Sequence, residues 1–151
     1  MTPVRTLFSA NATGDTGRAM SRENVEIVRR AYSALSSLDA DSTLAFCDPE
    51  VEFASRITAM EGGTYRGYEG VRRFVARLQE AFEWIDIEPL EVLGDGDRVV
   101  VTNRFRACGV GSGAEVEQRF FHAIKLRDGK AIWWSFFDSK GEALEAVGLE
   151  E

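Results

Sequence analysis

The chain contains few of the side chains that bind transition metals. It has one histidine and two cysteines among 151 residues, and Cys47 and Cys108 stand far apart without a CxxC pair. A structural zinc site takes about four such ligands, so the sequence predicts no metal site and no cofactor. Two separate thiols without a basic neighbour are typical of inert cysteines in a reducing, cytoplasmic setting.

Positive charge and long apolar runs are also scarce. The chain has 18 basic residues against 25 acidic ones, which gives a formal net charge of −7. Such a balance disfavours contact with phosphates and anionic lipids, so we expect neither nucleic acid nor a membrane as partner. No apolar run approaches the roughly 20 residues that a helix needs to cross a bilayer.

The chain does have enough length and apolar content for one domain with a core. Hydrophobic residues make up 44% of it, and a chain of this length is too short for two domains of ordinary size. Residues 1–20 mix small polar residues without periodicity, so we predict a disordered leader there and a folded domain over residues 21–151. An arm that docks on the domain is the alternative.

Apolar residues recur at helical spacing in three places. After Ser21, a candidate N-cap, the first series consists of Val25, Val28, Tyr32 and Leu35. A second, short helix can begin at Asp39 or Asp41 and ends before Pro49. The third series consists of Val71, Phe74, Val75, Leu78 and Phe82.

The rest of the chain shows strand patterns. Val51, Phe53 and Ser55 alternate with more polar neighbours. Further on, turn sequences separate four β-rich runs, which are Ile85–Leu93, Arg98–Ala107, Glu115–Leu126 and Ala131–Phe137. Short turns predict an antiparallel meander, followed by a last helix that Asp138 or Ser139 can cap. Helices first and a sheet last indicate the α+β class.

Several segments together resemble a known family. They are ENVEIVRRAYSAL, DPEVEF, YRGYEGVRRFV, GDRVVV, GSGAEVEQRFFHAIKLRDGK and EALEAVGL. In order and spacing they resemble the SnoaL-like polyketide cyclases of the nuclear-transport-factor-two-like superfamily, which also contains ketosteroid isomerase and limonene epoxide hydrolase. The resemblance implies a cone-shaped, curved antiparallel sheet wrapped on N-terminal helices, a pocket at its open end, and a homodimer across the outer sheet face.

His122 is the candidate catalytic residue. The even positions of the run Glu115–Leu126 are the more apolar ones, which turns His122 inward. If the turn RDGK is a three-residue loop, His122 lies opposite Phe136, and a two-residue loop would place it opposite Ser135. A core histidine bonded to a neighbour is the plainer reading of the same pattern.

The resemblance also shows what this chain has replaced. The family's catalytic aspartate position holds Phe136, and a glutamine position holds Phe120. A phenyl ring carries no proton, so we predict a domain that binds a small apolar metabolite without catalysis. The alternative is a cofactor-independent isomerase, cyclase or hydrolase that uses His122 as acid or base, with Tyr32 or an arginine stabilising an oxyanion.

The predicted pocket around His122 is lined by aromatic and cationic side chains. Its members are Tyr32, Phe53, Ser55, Arg104, Arg106, Phe120, Trp134 and Phe136. The two arginines are included because the limonene hydrolase pattern aligns with them, whereas the apolar alternation of their strand turns both outward. Trp133 and Phe137 fall on the other face of the last strand, where we expect a partner subunit to cover them.

Overall fold

The computed structural model describes residues 5–8, 16–54 and 65–149, with the side chains of the first range and of residues 16–21 left out. Its strands are β1 (Arg5–Phe8), β2 (Cys47–Ala54), β3 (Tyr65–Arg66), β4 (Phe82–Asp95), β5 (Arg98–Gly109), β6 (Glu115–Arg127) and β7 (Lys130–Phe137). Its helices are α1 (Thr16–Ser36), α2 (Ala40–Leu44), α3 (Gly67–Ala81) and α4 (Lys140–Ala146). No helix in these ranges is long and apolar enough to cross a membrane.

The described strands form one open, curved sheet in the order β1-β4-β5-β6-β7-β2-β3. Strands β4 to β7 form the predicted antiparallel meander. The sheet as a whole is mixed, because β2 pairs in parallel with β7 and β1 pairs in parallel with β4. The predicted α+β class, with a curved sheet packed on N-terminal helices, is confirmed.

Helix α1 packs on the concave face of this sheet. It buries Val25, Val28, Tyr32 and Leu35, as its periodicity predicts. The helix begins at Thr16, so Ser21 lies inside it and is not its N-cap. The side chain of Asp39 caps α2 by accepting a hydrogen bond from the amide of Ser42.

The predicted leader contains one described strand. Arg5–Phe8 lies along Glu91–Gly94 at the edge of β4. Sequence reasoning found no element here because four residues are too few to establish an alternating pattern. Residues 1–4 and 9–15 lie outside the described residues, so disorder of the leader stays a prediction.

Helix α4 covers part of the convex face of the sheet. Ser139 caps it, accepting from the amide of Glu142. The apolar side of α4 packs in a cluster that also contains Trp133 and Phe137. The two rings are therefore covered by a helix of their own chain, whereas the sequence predicted that a partner subunit would cover them.

The turn between β6 and β7 sets the register of the site. Asp128 and Gly129 both have positive φ, 51° and 77°, and Arg127 pairs with Lys130, which makes a two-residue turn. The expected three-residue loop is therefore wrong. An irregularity between Lys125 and Leu126 then shifts the pairing by one residue and places His122 opposite Phe136, which confirms the predicted register.

Candidate ligand-binding site

Three polar side chains from three elements meet inside the domain. Tyr32 comes from α1, Asn103 from β5 and His122 from β6. Tyr32 and Asn103 are fully buried, and His122 is 7% exposed. Buried polar groups are stable only when they are hydrogen-bonded, and these three bond to one another.

The geometry of this cluster is tight. The Tyr32 hydroxyl lies 2.6 Å from Nδ1 of His122, and Asn103 Nδ2 donates to the Tyr32 oxygen at 3.1 Å. The same amide nitrogen lies 3.3 Å from Nδ1 of His122. Since the Tyr32 oxygen accepts from the amide, its own proton is directed at Nδ1, which leaves the imidazole proton on Nε2.

Rotating the Asn103 amide by half a turn would reverse these roles. Its oxygen would then accept from Tyr32, and His122 would carry its proton on Nδ1. In the observed orientation Oδ1 of Asn103 is buried without a partner, whereas the rotated amide would bury an unpaired NH2 group. Buried unpaired N–H groups are rarer than buried unpaired carbonyls, so the observed arrangement is the favoured one.

Burial keeps both ring systems neutral. It lowers the pKa of His122 to about 3, so the imidazole is uncharged at physiological pH. It raises the pKa of Tyr32 far above its ordinary value, against the smaller opposing effect of hydrogen bonds from Asn103 and Trp134. Tyr32 therefore stays a proton donor towards His122.

Aromatic neighbours hold the imidazole in place. The ring of His122 is parallel to that of Tyr32, with centroids 5.7 Å apart. Phe120 approaches it in a T-shaped arrangement at 4.8 Å, and Trp134 does so at 5.7 Å. This packing restricts rotation of the ring about χ2, so its two nitrogens point in fixed directions.

The imidazole of His122 also lines a small cavity of about 50 Å³. Its walls include Phe53, Ala54, Phe74 and Trp134. Two polar side chains of the wall are already engaged.

These two side chains are Thr43 and Cys47. The Thr43 hydroxyl donates to the Asp39 carbonyl, and the Cys47 thiol donates to the Thr43 carbonyl. Burial raises the pKa of Cys47 to about 11, so this thiol is not ionised. Among the described wall residues, His122 supplies the polar group that remains for a ligand.

The structure brings most of the sequence-predicted site residues together. Tyr32, Phe120 and Trp134 surround His122, Phe53 lines the cavity, and Phe136 lies directly opposite His122 on β7. Ser55 falls outside the described residues.

Arg104 and Arg106 are not part of this group. They alternate with the buried Asn103 and Phe105, so they occupy the convex face of β5. Arg104 pairs with Glu88 at 2.5 Å, and Arg106 pairs with Asp86 at 2.7 Å. The prediction that both arginines line the pocket is therefore wrong. It followed the resemblance to the limonene hydrolase pattern, whereas the apolar alternation of the strand correctly indicated that both side chains face outward.

Sequence reasoning missed Asn103. The signal was present, because Asn103 is the polar member of an otherwise apolar set of inward positions that includes Val99, Val101 and Phe105. A polar residue on an apolar strand face needs a partner. The described residues contain no group of three or more histidine, cysteine or acidic side chains placed to hold a metal ion.

Comparisons with known proteins identify relatives of the chain. Residues 28–134 match the family described as SnoaL-like domain, and no curated protein matches. An NTF2-like protein of unknown function from Burkholderia pseudomallei shares 24% identity and a TM-score of 0.68, over 82% of this chain and 95% of that one. TerC, co-crystallised with polyporic acid, shares 25% identity and a TM-score of 0.67, over 83% of this chain and 98% of that one. A candidate SnoaL-like polyketide cyclase from Jannaschia sp. CCS1 shares 23% identity and a TM-score of 0.68, over 91% of this chain and 100% of that one.

Proposed function

Since the chain belongs to the SnoaL-like domain family, we propose that it binds a small, largely apolar metabolite in the cavity beside His122. The observation that carries this proposal is the contrast within the cavity, where largely apolar walls surround one imidazole whose Nδ1 is engaged with Tyr32 and Asn103. Binding sites for small molecules are commonly apolar with a few placed polar groups.

The same geometry favours binding without catalysis. Phe136 lies opposite His122, and no carboxylate belongs to the described cavity wall. Because the pKa of His122 is lowered to about 3, the ring is not a general acid at neutral pH. Because Nδ1 accepts from Tyr32 and Nε2 carries the proton, the ring has no free lone pair with which to act as a base.

An enzyme of the isomerase, cyclase or hydrolase kind is the second candidate. One observation favours it, which is the unpartnered Oδ1 of Asn103. If the amide rotated, Nδ1 of His122 would hold the proton and Nε2 would offer a lone pair to a carbon acid. The enzyme would then need no cofactor.

The relatives support a pocket for an organic molecule. TerC, at 25% identity, was crystallised with polyporic acid, and we extend to this chain only the general idea of a small organic ligand. The homodimer, the cytoplasmic location and the absence of nucleic-acid and membrane partners stay predictions. A dimer would have to use convex-face residues that α4 leaves open, such as Trp84, which is 41% exposed.

Filling the cavity tests the proposed function. We expect Val71→Phe to place extra atoms in the cavity, because the buried side chain of Val71 is part of its wall. Native mass spectrometry after purification from cell extract should then show a bound small molecule on the wild type and none on this variant. Ala76→Leu, on the exposed side of α3, is the matched control and should keep the ligand.

Equal ligand occupancy in the wild type and Val71→Phe would place the binding site elsewhere. Turnover of a recovered ligand by the wild type would favour the second candidate. A protein that recovers no small molecule from extract, and whose His122 signals respond to no added apolar compound, would contradict the proposal.

A further inference from the structure

We infer that the cavity selects an uncharged ligand carrying a carbonyl or a similar hydrogen-bond acceptor, which the Nε2–H group of His122 binds. This inference rests on the proposed function and adds the chemistry of the ligand to it. Three features of the described residues carry it, namely the hydrogen bonds at Nδ1 of His122, the apolar side chains of the cavity wall and the lack of a charged side chain in the described wall.

The hydrogen bonds behind the ring determine which nitrogen holds the proton. Nδ1 of His122 faces both the Tyr32 hydroxyl and the Asn103 amide nitrogen, and both of these groups donate. A neutral imidazole that accepts at Nδ1 carries its hydrogen at Nε2. Because Nδ1 is engaged and His122 lines the cavity, Nε2–H is the polar group that this ring can offer to a ligand.

The wall in front of the ring gives this donor nothing else to bind. The hydrogens of Thr43 and Cys47 are engaged with main-chain carbonyls, and the indole of Trp134 bonds to Tyr32. The other described wall side chains besides His122 are apolar. Nε2 of His122 has no hydrogen bond to any described residue. An apolar ligand without an acceptor would cover this N–H group and leave it unsatisfied, whereas a carbonyl oxygen would accept its hydrogen.

The charges of the described residues disfavour an anionic ligand. His122 is buried, with 7% of its surface exposed, and its ring is uncharged at physiological pH. Arg104 and Arg106 lie on the convex face and are paired with Glu88 and Asp86. A carboxylate that entered the cavity would lose its hydration without gaining an ion pair from any described wall residue, which is unfavourable.

The single histidine makes the first test direct. Selective 15N labelling of histidine gives the ring signals of His122 alone, since the chain has no other histidine. We expect a protonated Nε2 and an unprotonated Nδ1 in the free full-length protein at neutral pH. A ring that carries its proton on Nδ1 would overturn the inference before any ligand is added.

A matched pair of ligands provides the second test. Cyclopentanone and methylenecyclopentane have nearly the same shape and differ in whether they present an oxygen acceptor. We expect the ketone to bind about tenfold more tightly, which is the ratio expected when a buried donor gains or lacks its partner. The Nε2–H resonance should move when the ketone is added, and the hydrocarbon should move it less.

A variant locates the preference at His122. His122→Phe keeps a planar ring in the wall and removes the donor, so it should bind the two compounds with equal affinity. Equal binding of both compounds by the wild type would overturn the acceptor inference and leave the proposed function standing. Failure of the wild type to bind either compound would contradict both.

Discussion

The hydroxyl of Tyr32 on α1 and Nδ1 of His122 on β6 lie 2.6 Å apart, although 90 positions separate them in the chain. This bond ties the first long helix to the centre of the sheet. Because Tyr32 donates to Nδ1, it also decides which imidazole nitrogen carries the proton. The sequence offers a core role and a ligand-binding role for His122 as alternatives. In the folded protein one nitrogen of the ring can serve the first and the other nitrogen the second.

Acid should destabilise the fold through His122. The ring accepts a proton near pH 6.5 in the unfolded chain and only near pH 3 in the folded one. Between these values the unfolded state binds more protons, so stability is complete above pH 6.5 and falls as the pH is lowered towards 3. The loss approaches at most about 1.4 kcal/mol per pH unit, measured by urea unfolding at a series of pH values.

The variant His122→Phe is the control for this pH dependence. Aspartates such as Asp39 and Asp48, whose hydrogen bonds lower their pKa values, also lose favourable interactions in acid. They are present in both proteins, so the difference between the two stability curves isolates His122. Parallel curves between pH 6 and 4 would show that the imidazole takes up its proton in the folded state.

Asn103→Asp should move the ring proton of His122 from Nε2 to Nδ1. A carboxylate in place of the amide accepts a hydrogen from Nδ1 of His122, which moves the ring proton away from Nε2. The nearby negative charge also raises the pKa of His122 above its wild-type value. Ring 15N shifts of histidine-labelled protein, followed through a pH titration, report both changes.

Asn103→Leu is the matched change without charge. In this variant Tyr32 is the remaining partner of the imidazole, so Nδ1 of His122 should stay unprotonated. A ring titration in Asn103→Asp that matches that of the wild type would mean that the residue at this position does not control the imidazole.

Gly129→Ala should weaken the turn that registers β6 against β7. Gly129 has φ +77°, and an added Cβ would lie 3.3 Å from Cδ1 of Ile27. A left-handed backbone costs a non-glycine residue about 1–2 kcal/mol, so thermal unfolding should show a loss of that size. Gly141→Ala in α4 is the opposite control, because nothing lies near its Cβ and alanine favours a helix. A stabilised Gly129→Ala variant would contradict the positive φ.

Glu88→Gln should cost more stability than Asp86→Asn. The side chains of Arg104 and Glu88 are 29% and 16% exposed, whereas those of Arg106 and Asp86 are both 44% exposed. Losing Glu88 leaves a half-buried guanidinium with a weaker partner, at about 1 kcal/mol after screening by solvent. The exposed pair should contribute little. Similar losses for both variants in chemical unfolding would show that exposure does not rank these pairs.

Shortening the chain tests the predicted leader. We expect a chain that begins at Met20 to melt near the temperature of the full chain, because a four-residue strand at a sheet edge contributes little. Scanning calorimetry of both chains measures the difference. A drop of several degrees would show that the pairing of Arg5–Phe8 with β4 supports the fold, and the leader would then be part of the domain.

The local sequence determined the elements of this protein. Helical spacing from Val25 to Leu35 and the turn sequences between the β-rich runs depend on neighbours within a few residues, so they are readable without the fold. Period-two alternation also placed His122 on the inner face of β6 and turned Arg104 outward. The family resemblance supplied the order in which the elements pack and the register of Phe136.

The tertiary structure decided what the site can do. Asn103 and His122 come together through the pairing of β5 with β6. Tyr32 meets both only because α1 packs on the sheet, and its two hydrogen bonds join residues more than 70 positions apart. Parallel pairing of β2 with β7 and the cover of Trp133 by α4 are likewise long-range contacts. A sequence pattern reports which face a side chain occupies, but the partner on that face is set by packing. That partner fixes the proton on His122 and the chemistry of its pocket.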